Sequence, residues 1–243
     1  MWKIVGASIQ GRSHKNNDIP CQDRIGYFRS DNSNCIALSD GAGSVKYAEI
    51  GAQITCDTVC GLFNCDFNKL YSLHLKELQS KIIHNIRTRI GIKASKLGVQ
   101  KSEFSATMLF VCIYDDQYII GHIGDGVIAG LKNNSLVILS EPENGEYANS
   151  TYFVTSKKIQ NHFRIIKGNI SDIRAFYLMS DGAAECLYHK KDKILSNALN
   201  IISSWIDNNE ENVVSDALKA NMQELFYNHT YDDCSIIILQ NCK

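Results

Sequence analysis

Four acidic positions, each beside an apolar run, are the residues of this chain best suited to chemistry. Ile36-Ala37-Leu38-Ser39 leads straight into Asp40-Gly41-Ala42-Gly43-Ser44, and a short apolar run closed by a turn signal reads as a buried strand. Gly41 frees the backbone to turn and exposes its carbonyl. One carboxylate and one main-chain oxygen then stand together, as a hard cation requires. Phe176-Tyr177-Leu178-Met179 repeats the pattern ahead of Ser180-Asp181-Gly182-Ala183. A third version runs from Tyr118 to Ile123 and into Gly124-Asp125-Gly126, and a fourth acid pair, Asp232-Asp233, stands just before Ile236-Ile237-Ile238-Leu239. A single Ser-Asp-Gly is an ordinary turn. Four strand-end acids spread over the whole chain point instead to one assembled site of oxygen donors.

The elements that must position these acids follow from hydrophobic period. Val5 to Gln10 and Arg24 to Arg29 read as strands around a polar loop, Gly11 to Asp23, which carries Arg12, His14, Lys15, Asp18, Gln22 and Asp23. Val45 to Phe63 has helical spacing. Leu70 to Ile92 is a clearer amphipathic helix, with Leu75, Leu78, Ile82, Ile83, Ile86 and Ile90 on one stripe. Phe104 to Tyr114, Gln117 to Ile123, Val127 to Lys132 and Leu136 to Leu139 are four strands in succession, read as an antiparallel meander whose turns include Gly124-Asp125-Gly126. Glu141 to Ser150 has no core period and opens an expected mobile flap over 141–168. Ile173 to Met179 is a strand, Ile194 to Ile206 and Val213 to Tyr227 are helices, and Cys234 to Leu239 is the last strand. Strands, helices, a run of strands, helices and a closing strand indicate the α+β class, mainly antiparallel sheet faced by helices. No low-complexity linker divides the chain, so residues 1–243 read as a single domain.

Composition narrows the function classes. With 25 Lys and Arg against 26 Asp and Glu, the net charge is −1, leaving no basic excess to meet a nucleic-acid backbone or a membrane surface. The first residues lack the apolar core of a signal peptide, and no apolar run approaches the ~20 residues that span a bilayer; a cytoplasmic protein is expected. Nine cysteines without a tight framework fit a reducing compartment better than a disulfide scaffold. Cys56 and Cys60 share a helical face with no histidine nearby in sequence, and read as buried thiols.

Taken in order, these motifs resemble a known family. The loop Gly11-Arg12-Ser13-His14 ends in Pro20-Cys21-Gln22-Asp23. Then come Ser39-Asp40-Gly41-Ala42-Gly43, Ser105-Ala106-Thr107, Gly124-Asp125-Gly126, Ser180-Asp181-Gly182 and Asp232-Asp233 with Ser235. Together they resemble the metal-dependent serine/threonine protein phosphatases, the type 2C or PPM family, and within it the compact bacterial members, from about Gly6 to Leu239. The resemblance implies a four-layer α-β-β-α sandwich: two mainly antiparallel sheets flanked by helix pairs, with a two-metal site at one end. Asp40 would bridge two Mn²⁺ or Mg²⁺ ions and the Gly41 carbonyl would bind one of them. Asp181 and Asp232 would complete the other ion's shell. Asp125, Asp181 and Glu185 match a weaker third site, Asp23 an acid that supports metal-bound water, and Thr107 a small residue packed beneath the site. Gln22 falls where many relatives carry a metal-facing Glu. The implied reaction is hydrolysis of phosphoserine and phosphothreonine in proteins by direct water attack, with no phosphoenzyme. The implied setting is a monomer opposing a serine/threonine kinase.

Two departures from the family pattern bear on substrate. Asp18 stands where the family places a phosphate-gripping Arg, so His14, Arg12 or Lys15 is expected to replace it, with His14 favoured. Ala42 stands where eukaryotic relatives carry a His proposed as general acid. Asp233 replaces a usual Asn and reads as a neighbour of the site rather than a ligand. Two alternatives stay open at this level: a phosphoprotein-binding module of the same fold without turnover, and a hydrolase of small phosphate esters.

Overall fold

The computed structural model describes residues 1–145 and 151–242. In chain order the elements are β1 (Trp2–Ile9), α1 (Arg12–Asn16), β2 (Arg24–Arg29), β3 (Ser33–Ser39), α2 (Ala48–Ser72), α3 (Leu75–Leu97), β4 (Met108–Tyr114), β5 (Gln117–Ile123) and β6 (Val127–Lys132). They continue with β7 (Ser135–Ser140), β8 (Arg164–Asn169), β9 (Ile173–Met179), α4 (Asp181–Leu187), β10 (Tyr188–His189), β11 (Ile194–Leu195), α5 (Ala198–Asn208), α6 (Glu211–Asn221) and β12 (Cys234–Asn241). Two five-stranded sheets form, in the orders β1-β12-β9-β6-β7 and β2-β3-β4-β5-β8. Every pairing within them is antiparallel.

Period two explains the layering. Successive side chains of a strand point to opposite faces, and here both faces are apolar. Ile36 and Leu38 of β3, Phe176 and Leu178 of β9, and Ile237 and Leu239 of β12 meet in the central cluster between the sheets. Their alternates face outward: Cys35 and Ala37 pack on α2 and α3, while Tyr177, Met179, Ile236 and Ile238 pack on α4, α5 and α6. The result is the four-layer α-β-β-α sandwich that the motif order implied. Among the described residues no helix is long and apolar enough to cross a membrane.

Several local expectations need correction. The four strands from β4 to β7 are not one meander. β4 and β5 pair in one sheet and β6 and β7 in the other, so Gly124-Asp125-Gly126 carries the chain between sheets instead of closing a hairpin. Gly124 takes φ +112°, a value open to glycine at little cost, and this lets the crossing occur in three residues. Helix α2 runs through Phe63 to Ser72, with a kink at Asp66 rather than a stop. Ile194 and Leu195 pair with Tyr188 and His189 in a small hairpin, so α5 begins only at Ala198.

The segment 141–168 is not one flap either. Its end is β8, paired along the edge of β5, and Val154, Ile159 and Phe163 are buried against the α2–α3 side. Arg87 of α3 donates to the carbonyls of Val154 and Ser156. Residues 146–150 of the expected flap lie outside the described residues. Cys35 and Cys112 oppose one another across the β3–β4 register with their sulfur atoms adjacent. The other seven cysteines are free, Cys56 and Cys60 buried among them.

Helix α2 lies close on the 3₁₀ turn Lys101–Phe104. A β-carbon on Gly51 would sit 2.1 Å from the Phe104 carbonyl oxygen. Alanine in a helix gains about 1 kcal/mol over glycine from propensity, but forcing atoms into a filled core costs about 1–3 kcal/mol. A backbone oxygen cannot swing away as a side chain can. Gly51→Ala is therefore expected to lower the urea midpoint; a raised midpoint would show that α2 can shift off this turn freely.

Candidate metal centre

Every acid singled out from sequence lies at the same end of the sandwich, and each is held there by its own local structure. Asp40 follows β3, and Thr107 brackets its backbone. The Asp40 N–H donates to the Thr107 hydroxyl at 2.8 Å, and the Thr107 N–H donates to the Asp40 carbonyl at 2.8 Å. Ser39 adds a hydroxyl bond to the Thr107 carbonyl at 2.5 Å. Gly41 pairs with Ala106 in an isolated bridge. A β-carbon on Gly41 would press within 2.8 Å of the Ala48 backbone at the start of α2, so the residue type is fixed by close approach.

Asp181 opens α4 and accepts the Gly182 N–H at 2.7 Å. Ser180 ties this turn to β12, donating its N–H to the Ser235 carbonyl and accepting the Ser235 N–H on its hydroxyl. Asp232 sits just before β12 and accepts the Asp233 N–H at 2.9 Å. Asp125 lies on the crossing between sheets.

Carboxylate oxygens of Asp40, Asp125 and Asp181 come within 4.8 Å of one another. Together with Gly41, Asp232 and Glu185 they line a cleft of about 540 Å³. Asp23 lies behind them, buried, with no hydrogen-bond partner for either carboxylate oxygen among the described residues. Acids packed this way resist ionisation. Burial and the neighbouring charges of Asp23, Asp181, Asp232 and Asp125 hold Asp40 well above the usual carboxylate range. Asp181 is raised in the same direction, by burial and then by Asp232 and Asp125. Burial, then the Asp233 charge, pushes Asp23 up to about 7. Asp125 and Asp232 are also raised, chiefly by burial.

Such a set fits hard divalent cations well. It offers only carboxylate and carbonyl oxygen, the donors that suit Mg²⁺ and Mn²⁺. The orphaned Asp23 oxygens and the crowded like charges also want a positive partner, and among the described residues no Lys or Arg lines the cleft around Asp40.

The profile of the protein phosphatase 2C family matches residues 10–223. The chain belongs to that family. Serine/threonine-protein phosphatase 3 of Escherichia coli (strain K12) is 29% identical over 164 residues, 64% of this chain and 64% of that protein, so the match spans less than two thirds of the relative's length. Among solved structures, the serine/threonine phosphatase Stp1 from Staphylococcus aureus aligns with a TM-score of 0.69 at 14% identity, covering 100% of this chain and 96% of that one. The catalytic domain of the serine/threonine protein phosphatase PstP, in complex with two manganese ions, aligns at 0.66 with 12% identity, covering 100% and 99%. At such identities the likeness concerns the fold: the two-sheet, helix-flanked architecture.

The candidate phosphate-binding residues separate in space. His14 lines the cleft, but Arg12 and Lys15 do not. The Arg12 guanidinium lies 4.1 Å over the Tyr231 ring and donates to the Thr230 and Asn228 carbonyls. Lys15 sits 5.4 Å over Tyr227. Both cations spend their charge on aromatic faces beside the cleft. Lys190 was not singled out from sequence. It lines an adjoining cleft of about 500 Å³ that shares Asp125, Asp181, Glu185 and Asp232. Its surroundings, His189-Lys190-Lys191-Asp192-Lys193, read in isolation as a solvated charge run, and only the β10–β11 hairpin carries it to the acids. His122 is fully buried with Ser140 at 2.8 Å, and burial with the nearby Arg164 charge pushes it down to about 3.

Asp23, Asp40, Asp125, Asp181 and Asp232 bind their protons more tightly folded than unfolded. Above the unfolded value of about 4 the unfolded chain therefore carries fewer protons, and stability of the metal-free protein falls as pH rises towards the folded values. Cations need deprotonated ligands and gain from the same rise. The increase in melting temperature on adding Mn²⁺ is expected to be larger at pH 8 than at pH 6. Asp40→Asn is expected to raise the metal-free melting temperature while removing most of the Mn²⁺ increment; a metal-free decrease would show that Asp40 contributes more through its contacts than it costs through repulsion.

Proposed function

We propose that this chain is a metal-dependent protein phosphatase that hydrolyses phosphoserine and phosphothreonine with a metal-activated water. The observation that carries the reading is the cluster of Asp40, Asp125 and Asp181 oxygens within 4.8 Å in a chain of the protein phosphatase 2C family. In this reading Asp40 with the Gly41 carbonyl, Asp181 and Asp232 hold two ions, Mn²⁺ or Mg²⁺, and Asp125 and Glu185 offer a weaker third position. When bound, such ions would lower the pKa of a coordinated water and offset charge on the phosphoryl oxygens.

The chain's own residues do the rest. Thr107 fixes the backbone of Asp40 through two hydrogen bonds, so the carboxylate needs little reorganisation. Asp23, buried behind Asp40, has acceptor oxygens free to take a proton or a water hydrogen. His14 is proposed to meet the substrate phosphoryl group; in support, it alone of the three candidates lines the cleft. Cys56 and Cys234 have no nucleophilic part in this reading, because burial holds their thiols well up, away from the reactive thiolate.

The partners proposed with this reading are phosphoproteins, modified by an opposing serine/threonine kinase. The protein is proposed to act as a cytoplasmic monomer. A second reading, a phosphoprotein-binding module without turnover, draws on one feature: among the described residues no Lys or Arg lines the cleft around Asp40. Hydrolysis of small phosphate esters is the remaining alternative.

Release of phosphate from p-nitrophenyl phosphate and from a phosphothreonine peptide tests all three. Wild type is expected to act on both with Mn²⁺ or Mg²⁺. EDTA should abolish activity, and Asp40→Ala should lower kcat by about 10²-fold or more, as losing a principal electrostatic stabiliser does. Activity surviving EDTA would remove the metal mechanism. Peptide binding without turnover would move the assignment to the binding module, and turnover of the small ester alone would favour the third reading.

A further inference from the structure

Asp233, adjacent to the proposed ligand Asp232, is almost completely buried, and its carboxylate serves three groups of the opening loop. Oδ1 accepts the Gly11 N–H at 2.7 Å. Oδ2 accepts the Gln22 N–H at 2.6 Å and meets His14 Nδ1 at 2.8 Å. The His14 pair spans 219 positions of sequence, with side-chain exposures of 11% for His14 and 1% for Asp233. An ionised carboxylate can only accept, so Nδ1 carries a proton towards Asp233 and the ring is held in one orientation. Nε2 is then the free ring nitrogen. It faces Gly43, 3.8 Å from where a β-carbon on that residue would stand, on the wall of the cleft that contains Asp40. His229, the other histidine lining that cleft, has no carboxylate partner among the described residues.

From this geometry we infer that Asp233 is a positioning residue: it acts through His14, aiming the Nε2–H of the doubly protonated ring at a phosphoryl oxygen held in the cleft. The inference rests on the phosphate-hydrolase reading of this site and adds the residue that orients its phosphate contact. The two contacts to backbone N–H groups close loop 11–22 at both ends. The third sets the direction of the ring. An imidazole free to rotate would present Nε2 to the cleft only part of the time, and prior orientation lowers the entropic cost of binding. The same carboxylate thus serves the loop and the ring. Removing the ring alone should leave the loop contacts in place.

The test measures binding of inorganic phosphate to the Mn²⁺-loaded protein by calorimetry, alongside KM and kcat for p-nitrophenyl phosphate. The variants are His14→Ala, Asp233→Asn, the double variant and His229→Ala. His14→Ala and Asp233→Asn are each expected to weaken phosphate binding by about tenfold, the scale of one charge-assisted hydrogen bond. The double variant should be no weaker than His14→Ala, because residues acting as one unit do not add. KM should rise more than kcat falls, and His229→Ala should bind as wild type does. An additive double variant, or unchanged binding in His14→Ala, would overturn the inference even with a fully active wild type. Wild type that binds phosphate with this coupling but turns nothing over would keep the inference and sink the hydrolase reading; no phosphate binding at all would sink the inference. Should Asp233→Asn fail to fold, long-range ¹H–¹⁵N spectra of wild type still decide it. Nδ1 of His14 must be protonated, and a bare Nδ1 would contradict the geometry.

Discussion

Mutual repulsion among carboxylates at one end of the sandwich is the constraint to which the rest of the fold is fitted. Asp40, Asp125 and Asp181 approach within 4.8 Å, with Asp23 buried behind them and Asp232 on the rim. In a medium of low polarizability such a cluster opposes folding unless it holds protons or cations. The surrounding structure supplies the stability that the site withholds. Two five-stranded sheets share an apolar interlayer, and each has a second apolar layer under its helices. A functional cluster strained in this way sets stability against function.

The acids can be held close because they are fixed by backbone groups and hydroxyls, not by charged side chains. Thr107 brackets Asp40, Ser180 and Ser235 lock the turn at Asp181 to β12, and the Asp233 N–H bonds Asp232. Asp125 rides on the crossing that joins the sheets. Asp181 and Asp232 each use one oxygen, Oδ1, on a backbone N–H, which adds no counter-charge to the cluster as a salt bridge would. The cations nearest in sequence follow the same logic in reverse. Arg12 and Lys15 are turned onto Tyr231 and Tyr227, so they do not neutralise the cluster.

The opening loop illustrates how one buried charge organises a rim. Asp233 collects two backbone N–H groups and a histidine nitrogen, which satisfies a carboxylate that would otherwise be costly to bury. The loop so closed brings His14 to the cleft wall, with the Gln22 side chain beside it near Gly43. On the opposite side, Glu143 donates its N–H to the Gly124 carbonyl and Val154 to that of Ala106. The segment that follows β7 is thereby tied to the same two loops that carry Asp125 and Thr107.

The sequence by itself determined the strands that end in acids, the α+β class and the set of carboxylates, and through its motif order the family. These signals are local: apolar period, Asp-Gly turns and short polar side chains are set by backbone geometry over a few residues. Tertiary structure alone decided which neighbours those acids have. Nothing near Asp233 in sequence announces His14, because their contact depends on the β1–β12 register across the whole chain. The same holds for Lys190, brought to the cleft by a two-residue hairpin pair, and for Arg12, whose charge is absorbed by Tyr231 rather than offered to phosphate. Gly124-Asp125-Gly126 reads as a hairpin until both sheets are present, since a turn and a crossing use the same residues and differ only in which strand the next one pairs with. Local period is written in each segment, but strand partnership is a choice among distant segments, made by burial of both faces at once.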